Sequence, residues 1–160
     1  MIQGPKLIAA AVALIICATI ANADPRLVFS DLDQNGAARS LGDLRGAPTA
    51  LVVWKASCAP CLVDLANLRE IAARAPGWRI VTLALDDART ATAAMPPQVR
   101  GIGPAWTSSD PPAQVLAALN PSQPALPLTI AVSVRGEICA RRVGLLGSDV
   151  LNAWSAQCSR

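Results

Sequence analysis

Thr49-Ala50-Leu51-Val52-Val53-Trp54-Lys55-Ala56-Ser57-Cys58-Ala59-Pro60-Cys61-Leu62-Val63-Asp64-Leu65 holds two hydrophobic periods joined by a cysteine pair. Thr49 to Trp54 is a continuous apolar run, as in a strand buried on both faces of a sheet. From Pro60 the period changes. Leu62, Leu65, Leu68 and Ile71, with Ala72, recur at spacings of three and four through Arg74, and Pro76-Gly77 ends the stripe. That is an amphipathic helix. Cys58 and Cys61 thus stand where a buried strand opens into a helix. Unpaired N–H groups and the helix dipole favour negative charge at such a point. Cys58 is therefore expected to carry a lowered pKa and to act as a thiolate nucleophile. Pro60 sits in the first turn without losing a needed hydrogen bond and stiffens the ring closed by the disulfide. Cys61, one turn in and less exposed, is placed to attack a mixed disulfide on Cys58 and release the substrate.

Two blander readings stand beside this one. An inert disulfide has the same residues. Half of a structural zinc site would need four ligands, and without histidine it would have to recruit both Cys139 and Cys158. No second C-x-x-C exists to support that, so redox chemistry is the favoured reading.

Composition narrows the field further. The chain has 160 residues, 52% hydrophobic and 16% charged, enough for one domain and unlike a disordered tail. Its net charge of +3 comes from scattered Lys and Arg, which leaves no electrostatic footprint for nucleic acid. The absence of histidine excludes Ser-His-Asp and Cys-His nucleophiles, imidazole metal ligands and histidine acid–base catalysis together. With no tyrosine and one phenylalanine, Phe29, the core must be aliphatic with four tryptophans.

The N-terminus reads as an address. Met1 to Lys6 is short and basic, Leu7 to Ile20 is uncharged, and Ala21-Asn22-Ala23 precedes a polar start at Asp24-Pro25. This is the secretory pattern, so residues 1–23 are expected to be a cleaved signal peptide and 24–160 the working domain. Fourteen helical residues reach about 21 Å, short of the roughly 30 Å hydrocarbon core. An uncleaved membrane anchor is the alternative, because the apolar stretch extends through Ala23. Cys17 follows Ile16 rather than a small residue, against a lipoprotein signal. Export places Cys58, Cys61, Cys139 and Cys158 in an oxidising compartment, the periplasm in a Gram-negative bacterium.

Outside the central stretch, Arg26–Asp31 and Ala37–Ser40 flank Asp33-Gln34-Asn35-Gly36 and predict an N-terminal β-hairpin. Leu41–Pro48 reads as a loop and Trp78–Leu85 as a second buried strand closed by Asp86-Asp87, which end the strand or cap the next helix. A short helix over Ala88–Met95 precedes Pro- and Gly-rich connections around Trp106. A helix over Ala113–Leu119 follows, then a rigid proline loop from Pro121 to Pro127. Strands over Leu128–Ser133 and Glu137–Val143 pair about Arg135-Gly136, and Ser148 caps a last helix over Asp149–Gln157. Strands alternating with helices, with no repeat or long linker, predict one α/β domain around a central mixed sheet flanked by helices.

The segment Trp54-Lys55-Ala56-Ser57-Cys58-Ala59-Pro60-Cys61 resembles the W-x-x-x-C-x-P-C of thioredoxin-like proteins. Ser40-Leu41-Gly42-Asp43-Leu44-Arg45-Gly46-Ala47-Pro48, Leu126-Pro127-Leu128-Thr129, Arg135-Gly136-Glu137-Ile138 and Val143-Gly144 are similar to the TlpA/ResA-type branch of exported thiol–disulfide oxidoreductases. The resemblance spans most of residues 27–157. It implies a thioredoxin-like fold, with Cys58 as attacking and Cys61 as resolving thiol. It also implies a cis proline at Pro127, which would leave the Leu126 backbone free to pair with a substrate strand. Asp64 stands where the branch commonly carries Glu, within reach of the resolving thiol as a proton acceptor; a solvated helix residue is the alternative. Trp54 is expected to pack under the disulfide. Ser57 departs from the branch, which usually has tryptophan before the first cysteine; Ala66 and Ala47 replace its usual proline and lysine. Lys55 reads as a surface residue at a strand end, and Trp106 and Trp154 as core.

Val150, Leu151, Trp154 and Cys158 share one helical stripe, which turns Cys158 toward the strand of Cys139. A separate Cys139–Cys158 disulfide is expected, with two buried free thiols as the alternative. The resemblance implies an exported reductase of protein disulfides, such as those of apocytochrome c or metal-site cysteines. It needs no cofactor beyond the Cys58–Cys61 disulfide and no metal. Its implied donor is a membrane electron carrier of the DsbD or CcdA kind, and it is expected to be monomeric with no nucleic-acid partner. The rivals are an oxidant of the same fold, against which C-A-P-C without histidine argues, and a thiolate copper-binding module, which has only Met1 and Met95 to accompany it.

Overall fold

The computed structural model describes residues 27–32 and 36–160. The expected signal peptide and the hairpin turn at 33–35 lie outside them. Seven strands form one mixed sheet: β1 (Phe29–Asp31), β2 (Ala38–Arg39), β3 (Thr49–Trp54), β4 (Arg79–Ala84), β5 (Ala105–Thr107), β6 (Leu128–Val132) and β7 (Ile138–Val143). Their spatial order is β2-β1-β5-β4-β3-β6-β7. β3, β4 and β5 run parallel, while β6 and β1 lie antiparallel to β3 and β5. Four helices flank the sheet: α1 (Ala59–Arg74), α2 (Ala88–Ala94), α3 (Pro112–Leu119) and α4 (Ser148–Cys158).

Alternation along β3 builds the core on both sides, as period two requires. Ala50, Val52 and Trp54 meet Leu65, Leu68 and Ile71 of α1 with Leu151 and Cys158 of α4. Leu51 and Val53 point the other way, toward Phe29, Trp106 and the Val115 and Leu119 of α3. Every residue of β3 is buried, so the unbroken apolar run is the consequence of two covered faces.

Two expectations need correction. Trp106 is buried in a strand, β5, rather than in an irregular connection, and it stacks on Phe29 at 5.7 Å. Three residues in a Gly- and Pro-rich stretch carry no period; only pairing with β1 and β4 makes them a strand. The last helix is capped by Gly147, not Ser148, which is already its first residue. The Leu41–Pro48 segment also holds a 3-10 turn over Leu41–Leu44, closed by the reciprocal Ser40–Asp43 capping box.

Candidate active site

The parallel strands end together at one edge of the sheet, Trp54 beside Ala84 and Ala84 beside Thr107. The chain leaves β3 there through Lys55-Ala56-Ser57 and enters α1 at Cys58, the N-cap. Cys58 Sγ accepts the Cys61 N–H at 3.3 Å and is bonded to Cys61 Sγ. Cys58 is half-buried, while Cys61 is 1% exposed. The two cysteines thus differ in access: Cys58 is only partly covered by the core that encloses Cys61. Trp54 is wholly buried in the core that Cys61 joins.

β6 brings the third element. Val53 pairs with Leu128, which sets the preceding Leu126–Pro127 peptide beside the end of β3, and that peptide is cis. Pro127 is buried and Leu126 half-buried. The Pro127 carbonyl accepts the Gly144 N–H at 2.9 Å, whereas the Leu126 N–H and C=O take no partner among the described residues.

Asp64 is not a solvated helix residue. It is 2% exposed, and its Oδ1 accepts the Leu146 N–H at 2.9 Å. Oδ2 is buried without a hydrogen-bond partner among the described residues. Burial pushes its pKa up to about 6, against the opposing pull of the Leu146 N–H and the Arg142 charge. Lying three residues beyond Cys61 on α1, it shares that thiol's side of the helix.

Cys139 and Cys158 are joined far from this edge, linking β7 to the end of α4 with a sequence separation of 19. Cys158 is fully buried, and its carbonyl accepts the Val134 N–H at 3.2 Å. Lys55 is half-buried, and Trp154 is half-buried against the core of α1 and α4. Among the described residues no three Cys, Asp or Glu side chains form a group that could hold a metal ion.

Asp87 caps α2, one of the two roles read for the Asp86-Asp87 pair, its Oδ1 accepting the Arg89 and Thr90 N–H groups at 3.0 Å. Two contacts at the site have no counterpart in the sequence reading. Asp86 instead turns back to the cysteine loop, where its Oδ2 accepts the Ala56 N–H at 2.6 Å. Leu146, the donor to Asp64, lies 82 residues away in sequence. No local pattern marks either pairing.

No protein-family model matches the sequence, and no curated protein matches it. Solved structures do resemble the fold. DsbF of Mycobacterium tuberculosis, determined in mixed oxidised and reduced forms, aligns with TM-score 0.64 and 20% identity over 85% of this chain and 97% of its own. A secreted disulfide oxidoreductase of the same organism gives 0.59 at 18% identity, covering 85% and 98%. The exposed lipoprotein thioredoxin Etrx1 of Streptococcus pneumoniae gives 0.62 at 16% identity, covering 82% and 98%. Likeness at this level of identity carries the fold. The chain has the thioredoxin-like fold of these thiol–disulfide oxidoreductases, a central mixed sheet flanked by four helices with a C-x-x-C pair at the head of α1.

Proposed function

We propose that the protein is an exported thiol–disulfide oxidoreductase that reduces disulfides in client proteins. The observation that carries this reading is the unequal exposure of the two bonded cysteines at the head of α1, beside the cis Leu126–Pro127 peptide. In the reduced protein the Cys58 thiolate attacks one client sulfur, and the client disulfide breaks as its second sulfur leaves as thiolate and takes a proton. Cys61 then loses its proton to Asp64 and attacks Cys58 Sγ. The Cys58–client bond breaks as that client sulfur leaves as thiolate and takes a proton; the client, now a dithiol, has gained two electrons, and the protein has lost two as the Cys58–Cys61 disulfide. The unpartnered Leu126 backbone offers an extended client segment the hydrogen bonds of an added strand. A buried carboxyl with a pKa near 6 is suited to accept the Cys61 proton at neutral pH.

Apocytochrome c and metal-site cysteines are the proposed client classes, and a membrane donor of the DsbD or CcdA kind returns the electrons. The working form is a monomer delivered by the signal peptide over residues 1–23. Among the described residues no helix is long and apolar enough to cross a membrane.

Direction is tested by equilibrating the protein with glutathione or dithiothreitol while following tryptophan fluorescence, for which the buried Trp54 is a reporter. A potential nearer thioredoxin's, about −270 mV, than DsbA's, about −120 mV, is expected. A value above roughly −180 mV would favour the oxidant instead.

A further inference from the structure

The turn Lys55-Ala56-Ser57 carries the attacking cysteine, yet little of its own chemistry holds it. The Cys58 N–H donates to the Lys55 carbonyl at 3.0 Å, closing a single turn. Ser57 is exposed and forms no side-chain hydrogen bond among the described residues. The outward N–H of Ala56 is caught by Asp86 Oδ2 at 2.6 Å, a charge-assisted bond from the end of β4. Asp86 is fixed in turn. Its carbonyl accepts the hydroxyl of Thr107, which is 9% exposed at the end of β5, and the adjacent Leu85 N–H donates to the Trp54 carbonyl at 2.9 Å. A chain of contacts therefore runs from β5 through β4 to the turn that ends in Cys58.

We infer that Asp86 is a positioning residue for the dithiol: it fixes the turn that keeps Cys58 at the α1 N-cap, where the Cys61 N–H meets its sulfur. This rests on the proposed role of Cys58 as the attacking thiol. Asp86 acts in two opposed ways, which makes the inference separable from simple electrostatics. Its negative charge disfavours a nearby thiolate, whereas its grip on Ala56 holds Cys58 where the helix start favours one. The inference is that the grip dominates.

The test measures alkylation of Cys58 by iodoacetamide in the reduced protein, mapped by mass spectrometry from pH 5 to 10, for wild type, Asp86→Ala, Asp86→Asn and Thr107→Val. Asp86→Asn retains an acceptor for the Ala56 N–H without the charge. Asp86→Ala should raise the titration midpoint by about one unit, making the reaction up to about tenfold slower at pH 7. Asp86→Asn should react at least as fast as wild type. Thr107→Val should shift in the alanine direction by a smaller factor, and it carries the test if Asp86→Ala melts below the assay temperature. Equal acceleration in both Asp86 variants, or no change in any of the three, overturns the inference. A wild-type Cys58 titrating like a free thiol, near about 8.5, would instead overturn the attacking-thiol reading and the inference with it.

Discussion

Replacing Asp64 by Asn should make the protein more stable at neutral pH and leave it unchanged in acid. The carboxyl is 2% exposed and its pKa is pushed from 3.8 up to about 6, chiefly by burial. A raised carboxyl pKa means that the native state binds this proton more tightly than the unfolded chain. Between about pH 4 and 6 folding therefore takes up a proton, and stability falls as pH rises through that window. Above it the ionised carboxylate costs up to about 3 kcal/mol, from roughly 1.4 kcal/mol per pKa unit. Asparagine keeps an oxygen for the Leu146 N–H, 2.9 Å away, and never ionises. The attraction to exposed Arg142 opposes burial and is already contained in the net shift to about 6. Urea unfolding of the two oxidised proteins from pH 4 to 8 should then give a difference near zero at pH 4, growing to about 1–3 kcal/mol in favour of Asn at pH 8. Titration of the other carboxylates is common to both proteins and cancels. A difference that does not vary with pH, or an Asn variant less stable at pH 8, would refute the reasoning. The same substitution should slow disulfide reduction above pH 6, where Asp64 is ionised and can accept the Cys61 proton.

Replacing Cys139 and Cys158 together by Ser should lower stability by roughly 3 kcal/mol, the entropic value for a loop of about this length. Because that disulfide ties β7 to the end of α4, away from Cys58, thermal melting should fall while Cys58 alkylation in the reduced protein is retained. Gly103→Ala should be costly, because a Cβ there would lie 2.0 Å from the Ile80 carbonyl oxygen. Backbone must move to admit it, at about 1–3 kcal/mol, read as a lower urea midpoint.

What was legible in the sequence was whatever local pattern carries. β3 and the helix after it are an apolar run and a three-four stripe, so their bounds and the junction between them follow from residues 49–74 alone. The stripe of Leu151 and Cys158 likewise places the end of α4 on the sheet. β5 was hidden because its three residues owe their conformation to β1 and β4, distant partners that no window includes. The Gly147 cap was hidden because Ser148 is the better cap by residue type, and the chain turns one residue earlier. At the site, Asp64 kept two readings until packing under Leu146 made it a buried carboxyl. Asp86 read as the end of a strand or a cap of the next helix; its bond to Ala56 spans 30 residues and is written only in the parallel pairing of β3 with β4.

The central claim is that Cys58 attacks and Cys61 resolves. The direct measurement is to incubate reduced Cys61→Ser and Cys58→Ser variants with a disulfide-bonded peptide and map the adducts by mass spectrometry without reductant. The account predicts a stable peptide–Cys58 mixed disulfide in Cys61→Ser, released by dithiothreitol, and none in Cys58→Ser, whose remaining Cys61 is 1% exposed in the folded protein. An adduct on Cys61 of comparable yield, or no adduct on either variant, would contradict it.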